Sequence, residues 1–317
     1  MHTKSSALTR PLVVFTLAMV CCFLWGSATP SIKIGYQMFS IDSSNTAAII
    51  VFAGMRFFLA GVLVVLFQSL LQRRFLKPSV EALPCIFKLS LAQTVIQYLF
   101  FYIGLAHTSG VHGTIISGLG GLLSILVASL LFRYEKLTAA KILGCAAGFI
   151  GIIVMNLSGQ AAAGLFDISL LGEGFVFFAQ FSYAVSGALV KKYSARFDVV
   201  MLSGWQFMLG GVILMLTGLA AGGRVSLAVS PAAWLLLVYM GLISAVAYTL
   251  WGVLLKYNPV SQVTIFHFMT PLFGVALSAV FLGEWEQALS LKTLVALVLV
   301  CAGIYIVNRP RKTETES

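Results

Sequence analysis

Long uninterrupted runs of apolar residues limit what this chain can fold into. Ten such runs follow one another, separated by short polar or basic stretches. A helix rising about 1.5 Å per residue needs about 20 apolar residues to cross the hydrocarbon core of a bilayer. The ten predicted spans are residues 12–32, 46–70, 83–105, 111–132, 138–158, 168–190, 199–221, 232–255, 261–282 and 289–308.

The overall composition excludes a water-soluble fold. Hydrophobic residues make up 60% of the chain and charged residues 9%, whereas a soluble domain has about 45–50% apolar and about 25% charged residues. Much of any folded surface stays exposed, so a soluble protein of 317 residues could not hide this much apolar area. A barrel would show short alternating strands instead of long apolar runs. We therefore predict an all-α integral membrane protein with ten transmembrane helices.

The basic residues orient these spans. If the N-terminus is cytoplasmic, 16 of the 20 Lys and Arg residues fall on the cytoplasmic side. Three fall outside, namely Lys33, Arg224 and Lys292, and Arg56 lies within a span. Cytoplasmic loops of membrane proteins carry such an excess of Lys and Arg. The sequence therefore predicts a multi-pass protein of the plasma (cytoplasmic) membrane with both termini in the cytoplasm.

The two halves of the chain repeat each other. Four landmarks of the second span return in the seventh at an offset of 150 residues: Gly54, Phe57, Leu59 and Gly61 as Gly204, Phe207, Leu209 and Gly211. Each half holds an odd number of spans, so the two halves insert in opposite directions, as in many secondary transporters. The predicted divisions are a cytoplasmic segment 1–11, repeats 12–158 and 168–308, an external linker 159–167 and a cytoplasmic tail 309–317.

Several short motifs resemble the EamA-type family of the drug/metabolite transporter superfamily. They are Trp25-Gly26-Ser27, Arg56-Phe57, Pro271, and Phe281-Leu282-Gly283-Glu284. The resemblance covers roughly residues 12–308. It implies two inverted five-helix repeats around a cavity lined by the first, third, fourth, sixth, eighth and ninth helices, and export of amino acids and related metabolites. Leu122 stands where the second half has Pro271, and Gln206 stands where the first half has Arg56.

Polar and aromatic residues inside the spans are the candidate contacts for a solute. In the third span, Gln93, Gln97 and either Tyr98 or Tyr102 lie near one helical face, and amides are costly in lipid. The predicted cavity residues are Trp25, Gln93, Gln97, Tyr98, Tyr102, Tyr248, Trp251 and His267. The alternative is that these residues make helix–helix and interfacial contacts. A cavity of this kind suits an amphipathic solute with an apolar part.

Two charged residues within the spans are further candidates. Arg56 is either a counter-charge for a substrate carboxylate or, as we favour from the sequence, a structural residue on a peripheral helix. Glu173 is either a proton carrier or a carboxylate placed at the positive end of its helix. His267 is the other residue that could carry a proton.

No catalytic constellation is recognisable in the sequence. Phosphate-binding, metalloprotease and nucleophile-elbow motifs do not occur, and the five cysteines lack metal-ligand spacing. We expect no enzyme activity, no catalytic residue, no metal and no cofactor. The expected partners are a small-molecule substrate and the lipid bilayer, not nucleic acid. The sequence leaves open whether the chain forms a homodimer.

These observations together favour a secondary transporter. We expect it to export small amphipathic metabolites, such as amino acids or their derivatives, by alternating access through a central cavity. A broad-specificity drug exporter or an importer of the same fold is the alternative. An intramembrane lipid-modifying enzyme is a more remote one, because it would need acidic residues clustered near one membrane face.

Overall fold

The computed structural model describes residues 7–108, 110–156, 169–282 and 290–309, and these ranges contain helices and no strand. Within them the long helices are α1 Pro11–Met38, α2 Thr46–Gln72, α3 Val80–Ala106, α4 Gly110–Leu126, α5 Ala139–Asn156, α6 Leu170–Ser194, α7 Val199–Ala220, α8 Pro231–Tyr257, α9 Val260–Phe281 and α10 Leu291–Asn308. The all-helical membrane architecture predicted from the sequence is confirmed at this level. The predicted linker 159–167 and the motif residue Glu284 lie outside the described residues.

Eight of the helices in these ranges are long and apolar enough to cross a membrane. The other two predicted spans, the fourth and the fifth, coincide with shorter apolar helical stretches, Ile115–Leu131 and Ala139–Met155. The fourth includes a π-helical turn at Val127–Leu131, which follows α4 directly. The count of ten spans therefore stays a prediction.

The first helix is longer than predicted. The predicted span ends at residue 32, but α1 continues to Met38 with Pro30 inside it. A proline removes one backbone donor, so tertiary contacts must hold the last turns. Gly35 makes such a contact, because a Cβ atom there would lie 2.9 Å from the ring of Phe52 and 3.3 Å from Met240.

Helices α2 and α7 pack closely through glycines. A Cβ atom on Gly54 would lie 2.8 Å from the carbonyl oxygen of Gly211, and one on Gly61 would lie 2.5 Å from that of Gly204. Small residues of this kind let two membrane helices approach until their backbones touch. Gly54 and Gly61 are repeated as Gly204 and Gly211 in the sequence. The 150-residue offset therefore relates the Gly54–Gly211 contact to the Gly61–Gly204 contact.

Helix α2 is therefore not peripheral, contrary to the expectation from the sequence. Of its most apolar window, 67% is buried, whereas the corresponding share for α10 is 17%. Helix α10 packs mainly on α5, where Gly303 lies against the backbone of Gly144. The outer faces carry exposed apolar side chains such as Leu66, Phe67 and Leu71, as expected for surfaces that face lipid.

Candidate substrate cavity

A cavity of about 550 Å³ lies between the helices. It reaches the end of the bundle that holds Lys33, Ser43 and Thr46, which we name the open end. Residues of α1, α3, α4, α6, α8 and α9 line it, as the family resemblance implies, and α2 and α5 also contribute, with Thr46, Ile49 and Arg56 from α2 and Ile152 from α5. The contribution of α2 differs from the expected lining and follows from the central position of that helix.

Six of the eight predicted cavity residues line this space, and two do not. The six are Trp25, Gln97, Tyr98, Tyr102, Tyr248 and His267. Gln93 and Trp251 are buried, but they are absent from the described lining. Of the two predicted membrane charges, Arg56 lines the cavity and Glu173 does not.

Gln93 joins two helices instead of facing the cavity. Its side-chain oxygen accepts a hydrogen bond from the amide of Gln206, at 3.1 Å. The Gln206 oxygen accepts another from the hydroxyl of Thr94, at 2.8 Å. A buried amide needs such partners, so this α3–α7 network explains the polar residues without a ligand.

Trp251 packs behind the cavity wall. Its ring is buried in the main core cluster, and its centre lies 5.0 Å from that of Trp25. Trp25 itself faces the cavity and also contacts Tyr248, at 5.1 Å between ring centres. Trp251 thus supports a lining residue and is not one itself.

An aromatic wall surrounds His267. The ring of Tyr183 stacks on it, with centres 5.2 Å apart, and the ring of Trp25 meets it edge-on at 5.5 Å. Local backbone geometry helps to place this histidine, because Ile265–Phe268 forms a 3₁₀ turn within α9. Pro271 lacks the N–H that would bond to the carbonyl of His267, four residues earlier. Helix α4, with Leu122 at the corresponding position, runs without such a turn.

Two tyrosines at repeat-related positions meet beside the cavity. The hydroxyl oxygens of Tyr98 and Tyr248 lie 2.7 Å apart, within hydrogen-bond distance, and the two residues are 150 positions apart. Phe57 and Phe207 are related by the same offset, and their rings stack with centres 5.5 Å apart. Both pairs therefore join residues related by the offset that the sequence shows between the second and seventh spans.

The cavity wall holds several buried polar atoms that have no hydrogen-bond partner among the described residues. They are Trp25 Nε1, Arg56 Nε, Gln97 Oε1, Tyr183 Oη, His267 Nδ1 and Thr270 Oγ1. Buried polar atoms in proteins are nearly always paired with protein or water. A set that converges on one cavity is therefore prepared to bind water or a polar solute there.

Glu173 caps the start of α6. Its carboxylate accepts hydrogen bonds from the backbone N–H and the hydroxyl of Ser169, at 2.9 and 3.0 Å, and from the hydroxyl of Thr108. The Ser169 hydroxyl accepts in turn from the N–H of Gly172. This reciprocal arrangement satisfies unpaired donors at a helix start. The geometry matches the second of the two roles predicted for Glu173.

Several residues of the cavity wall are not among those predicted from the sequence, and they include Tyr36, Gln180 and Tyr183. Tyr36 was missed because the first helix was ended too early. A signal for Tyr183 does exist, because it lies 158 residues after Trp25, the offset that also relates Lys33 to Lys191. The repeat therefore pairs two aromatic residues that both contact His267.

The opposite end of the bundle, which we name the closed end, is held by polar contacts. Glu135 follows the fourth predicted span, and its carboxylate accepts from the N–H and hydroxyl of Ser261 at the start of α9, at 2.8 and 2.6 Å. Lys141 donates to the same carboxylate at 2.8 Å. Charge-assisted hydrogen bonds of this kind are among the stronger ones.

A second set of contacts at the closed end ties α6 to α8. The ammonium of Lys191 donates to the backbone carbonyls of Leu255 and Asn258, at 2.8 and 2.6 Å. The Asn258 amide donates to the carbonyl of Leu8, before α1. The bond from Asn258 to Leu8 joins the second half of the chain to the first.

Within the described ranges, no group of three or more His, Cys, Asp or Glu side chains is placed to hold a metal ion. The five cysteines are free thiols. The site described by these residues is a cavity with a mixed aromatic and polar wall.

The comparisons with known proteins agree with this architecture. Residues 12–157 and 170–309 match the EamA-like transporter family. The uncharacterized transporter YvbV of Bacillus subtilis is 26% identical over 279 residues, which cover 84% of each chain. An uncharacterized transporter of Archaeoglobus fulgidus is 25% identical over 300 residues, covering 93% of this chain and 98% of the relative.

Two more distant similarities extend this picture. A WAT1-related chloroplastic protein of Arabidopsis thaliana is 25% identical over 296 residues, which are 91% of this chain and 67% of the relative. One crystal structure superposes with a TM-score of 0.72 at 17% identity, covering 93% of this chain and 96% of that one, and this shows a shared fold. The chain belongs to the EamA-like transporter family, within the drug/metabolite transporter superfamily.

Proposed function

We propose that this protein is a secondary transporter that exports small amphipathic metabolites, such as amino acids or their derivatives, by alternating access. The observation that carries the proposal is the cavity of about 550 Å³ with unpaired polar atoms on its wall. Its size falls in the usual range for small-molecule sites, about 300–1,000 Å³. An aromatic wall beside polar groups suits a solute with one apolar and one polar part.

The contacts between the two halves support an inverted repeat. Alternating access in such transporters requires two similar halves that exchange conformations around one site. Three kinds of repeat-related contact meet near the cavity: the glycine contacts of α2 and α7, the Phe57–Phe207 stack and the Tyr98–Tyr248 hydrogen bond. Both ten spans and this inverted relation belong to the proposal.

The clustering of basic residues supports an orientation. Lys141, Lys191 and Lys256 lie at the closed end, near the start of α1 and the N-terminus of α9. We place the closed end in the cytoplasm, since basic residues favour that side. The cavity then opens outwards, towards the side on which an exporter releases its solute.

A reconstituted flux assay tests the proposal. The purified protein in liposomes is expected to move labelled amino acids or their derivatives, and not labelled lipophilic cations. Transport of lipophilic cations instead would favour the broad-specificity drug exporter. If neither class of probe moves although the protein is inserted in the liposomes, that result would contradict a transporter of amphipathic metabolites.

A matched pair of variants links transport to the cavity. Gln97→Ala removes a lining amide whose oxygen is buried and unpaired, so we expect about a tenfold loss of transport, equivalent to one lost hydrogen bond. Gln72→Ala removes an exposed amide at the end of α2 and is expected to change nothing. Equal transport by both variants would show that the cavity is not the path.

A further inference from the structure

The charges on the described cavity wall have one sign. Lys33 and Arg56 line the cavity, and no Asp or Glu does so in the described part of the chain. A concave site with cations on its wall attracts anions and repels cations. The wall therefore discriminates between solutes by charge as well as by shape.

Arg56 has no anionic partner in the described ranges. Its side chain is 5% exposed, its Nε has no hydrogen-bond partner, and the described ion pair joins other residues. The guanidinium carbon lies 4.6 Å from the centre of the Phe57 ring. A buried cation without an anion is unfavourable, because burial removes its water. An anionic group on a bound solute would offset that cost.

The groups around Arg56 suit a carboxylate in particular. Its guanidinium interacts electrostatically with the hydroxyls of four tyrosines, namely Tyr36, Tyr98, Tyr102 and Tyr248. A tyrosine hydroxyl can donate to a carboxylate, and a guanidinium can donate two parallel hydrogen bonds to it. All five side chains line the cavity.

The repeat shows that the fold does not need a cation at this position. Gln206 is the counterpart of Arg56, and it is fully buried. It makes two hydrogen bonds to α3, with Gln93 and Thr94, and so completes a neutral helix contact. Arg56 faces the cavity instead, where its guanidinium meets tyrosine hydroxyls such as that of Tyr98 and its Nε has no partner. The charge therefore serves the cavity and not the packing of the helices.

We propose that the transported solute is an organic anion: a carboxylate on an aromatic or branched apolar body, without a free ammonium group. Its carboxylate binds at Arg56, and its apolar body lies against Trp25, Tyr183 and His267. The inference rests on the proposed function and narrows its solute class. An unmodified amino acid would bring an ammonium group, for which the described wall offers no carboxylate.

Three probes with the same ring and different charge test this inference: 3-phenylpropionate, phenylalanine and phenethylamine. Calorimetry on the purified full-length protein at neutral pH is expected to show tightest binding of 3-phenylpropionate, about tenfold or more above phenylalanine, with phenethylamine weakest. This preference is measured on the native chain and does not depend on any variant. Equal or tighter binding of phenylalanine or phenethylamine, or no binding of any probe, would overturn the inference.

Variants of Arg56 locate the anion site. Arg56→Gln copies the residue of the other repeat and is expected to weaken 3-phenylpropionate binding about 30-fold or more. Arg56→Lys keeps the charge but not the paired donors, so an intermediate loss is expected. Lys192→Gln removes an exposed cation and serves as the matched control. Unchanged anion binding in a folded Arg56→Gln protein would overturn the inference.

Flux of benzenesulfonate, a permanent anion with the same ring, separates the two proposals. Liposomes containing the native protein are expected to take it up faster than liposomes containing Arg56→Gln. If the protein binds the anionic probes selectively but moves none of them across the membrane, the result would contradict the proposed transport function. Flux of phenylalanine that Arg56→Gln leaves unchanged would keep the transporter and overturn the anion class.

Discussion

The two ends of the helix bundle are built differently. At the open end, the cavity passes between α1, α2 and α3 and reaches Lys33, Ser43 and Thr46. At the closed end, Glu135 and Lys191 bind backbone and hydroxyl groups of the facing helices. Among these contacts of the closed end, the bonds between Glu135 and Ser261 join the first half of the chain to the second.

The difference indicates how such a bundle can change its accessible side. A few charge-assisted hydrogen bonds are strong enough to hold one end shut, yet they can be exchanged for water at small net cost. Apolar side chains alone would not favour one arrangement so selectively, because lipid and protein interiors are similarly apolar. The polar contacts at the closed end are therefore the place to disturb the equilibrium.

The most decisive test of this comparison asks on which side of the membrane each end of the bundle lies, and its outcome is all-or-none. Reporter fusions after Arg196, which lies at the closed end, are expected to be cytoplasmic, because the basic residues favour that side. Fusions after Gly159, which lies outside the described residues, are expected to be external. A cytoplasmic signal at both positions would break the inverted-repeat relation and leave the polarity of the two ends undefined.

Trp251 supplies the largest graded effect, because it packs between the cavity and the closed end. Its ring is 3% exposed and contacts Trp25, so Trp251→Ala is expected to destabilise the protein by about 3–5 kcal/mol. Thermal unfolding of the purified protein measures this. Trp234→Ala removes a ring that is 39% exposed on α8 and should cost much less. If the two variants lost similar amounts of stability, the layer behind the cavity would not be tightly packed.

Much of the fold could be predicted from the sequence, because lipid imposes a simple length and polarity rule on each helix. Boundaries were less certain where tertiary contacts decide them, as with Gly35 against Phe52 in the last turns of α1. The glycines shared by the second and seventh spans were visible as a repeat. Their role in joining α2 to α7 was not, because a sequence does not show which helices are neighbours.

The candidate site was predictable in part for the same reason. Hydropathy identifies polar residues inside spans, but it does not say whether each faces a cavity or another helix. Gln93 and Gln97 are one turn apart, yet Gln93 bonds to Gln206 while Gln97 lines the cavity. Arg56 was assigned to a peripheral helix because the close approach of α2 and α7 depends on backbone contacts that composition does not reveal.

Glu135 gives an effect of intermediate size at the closed end. Glu135→Ala removes the acceptor of two bonds from Ser261, worth about 1.5–3 kcal/mol for a charged partner. The closed end should then open more often. Cys22, whose thiol is buried and bonds to the carbonyl of Phe266, should react several-fold faster with a maleimide added from that side.

The labelling experiment needs a defined background. The other cysteines (Cys21, Cys85, Cys145 and Cys301) are replaced by serine or alanine, so that Cys22 alone reports. Glu81→Ala, which removes an exposed carboxylate near the same end, is the control and should leave the rate unchanged. An unchanged rate in Glu135→Ala would mean that its bonds to Ser261 do not hold this end shut.

The smallest effect on transport is expected from variants of the two residues that could carry a proton, Glu173 and His267. Glu173 is engaged by Ser169 and Thr108 at the start of α6 and does not line the cavity. His267 lines the cavity, but aromatic rings and no carboxylate face it in the described contacts. We therefore expect export down the solute's own gradient.

Glu173→Gln should weaken the helix start by about 0.5–2 kcal/mol and leave the pH dependence of flux unchanged. His267→Ala should change the affinity for the solute and leave the pH dependence of flux unchanged as well. Liposome flux with and without an imposed pH gradient measures both effects. Accumulation against the solute gradient that either variant abolishes would assign the energy source to protons instead.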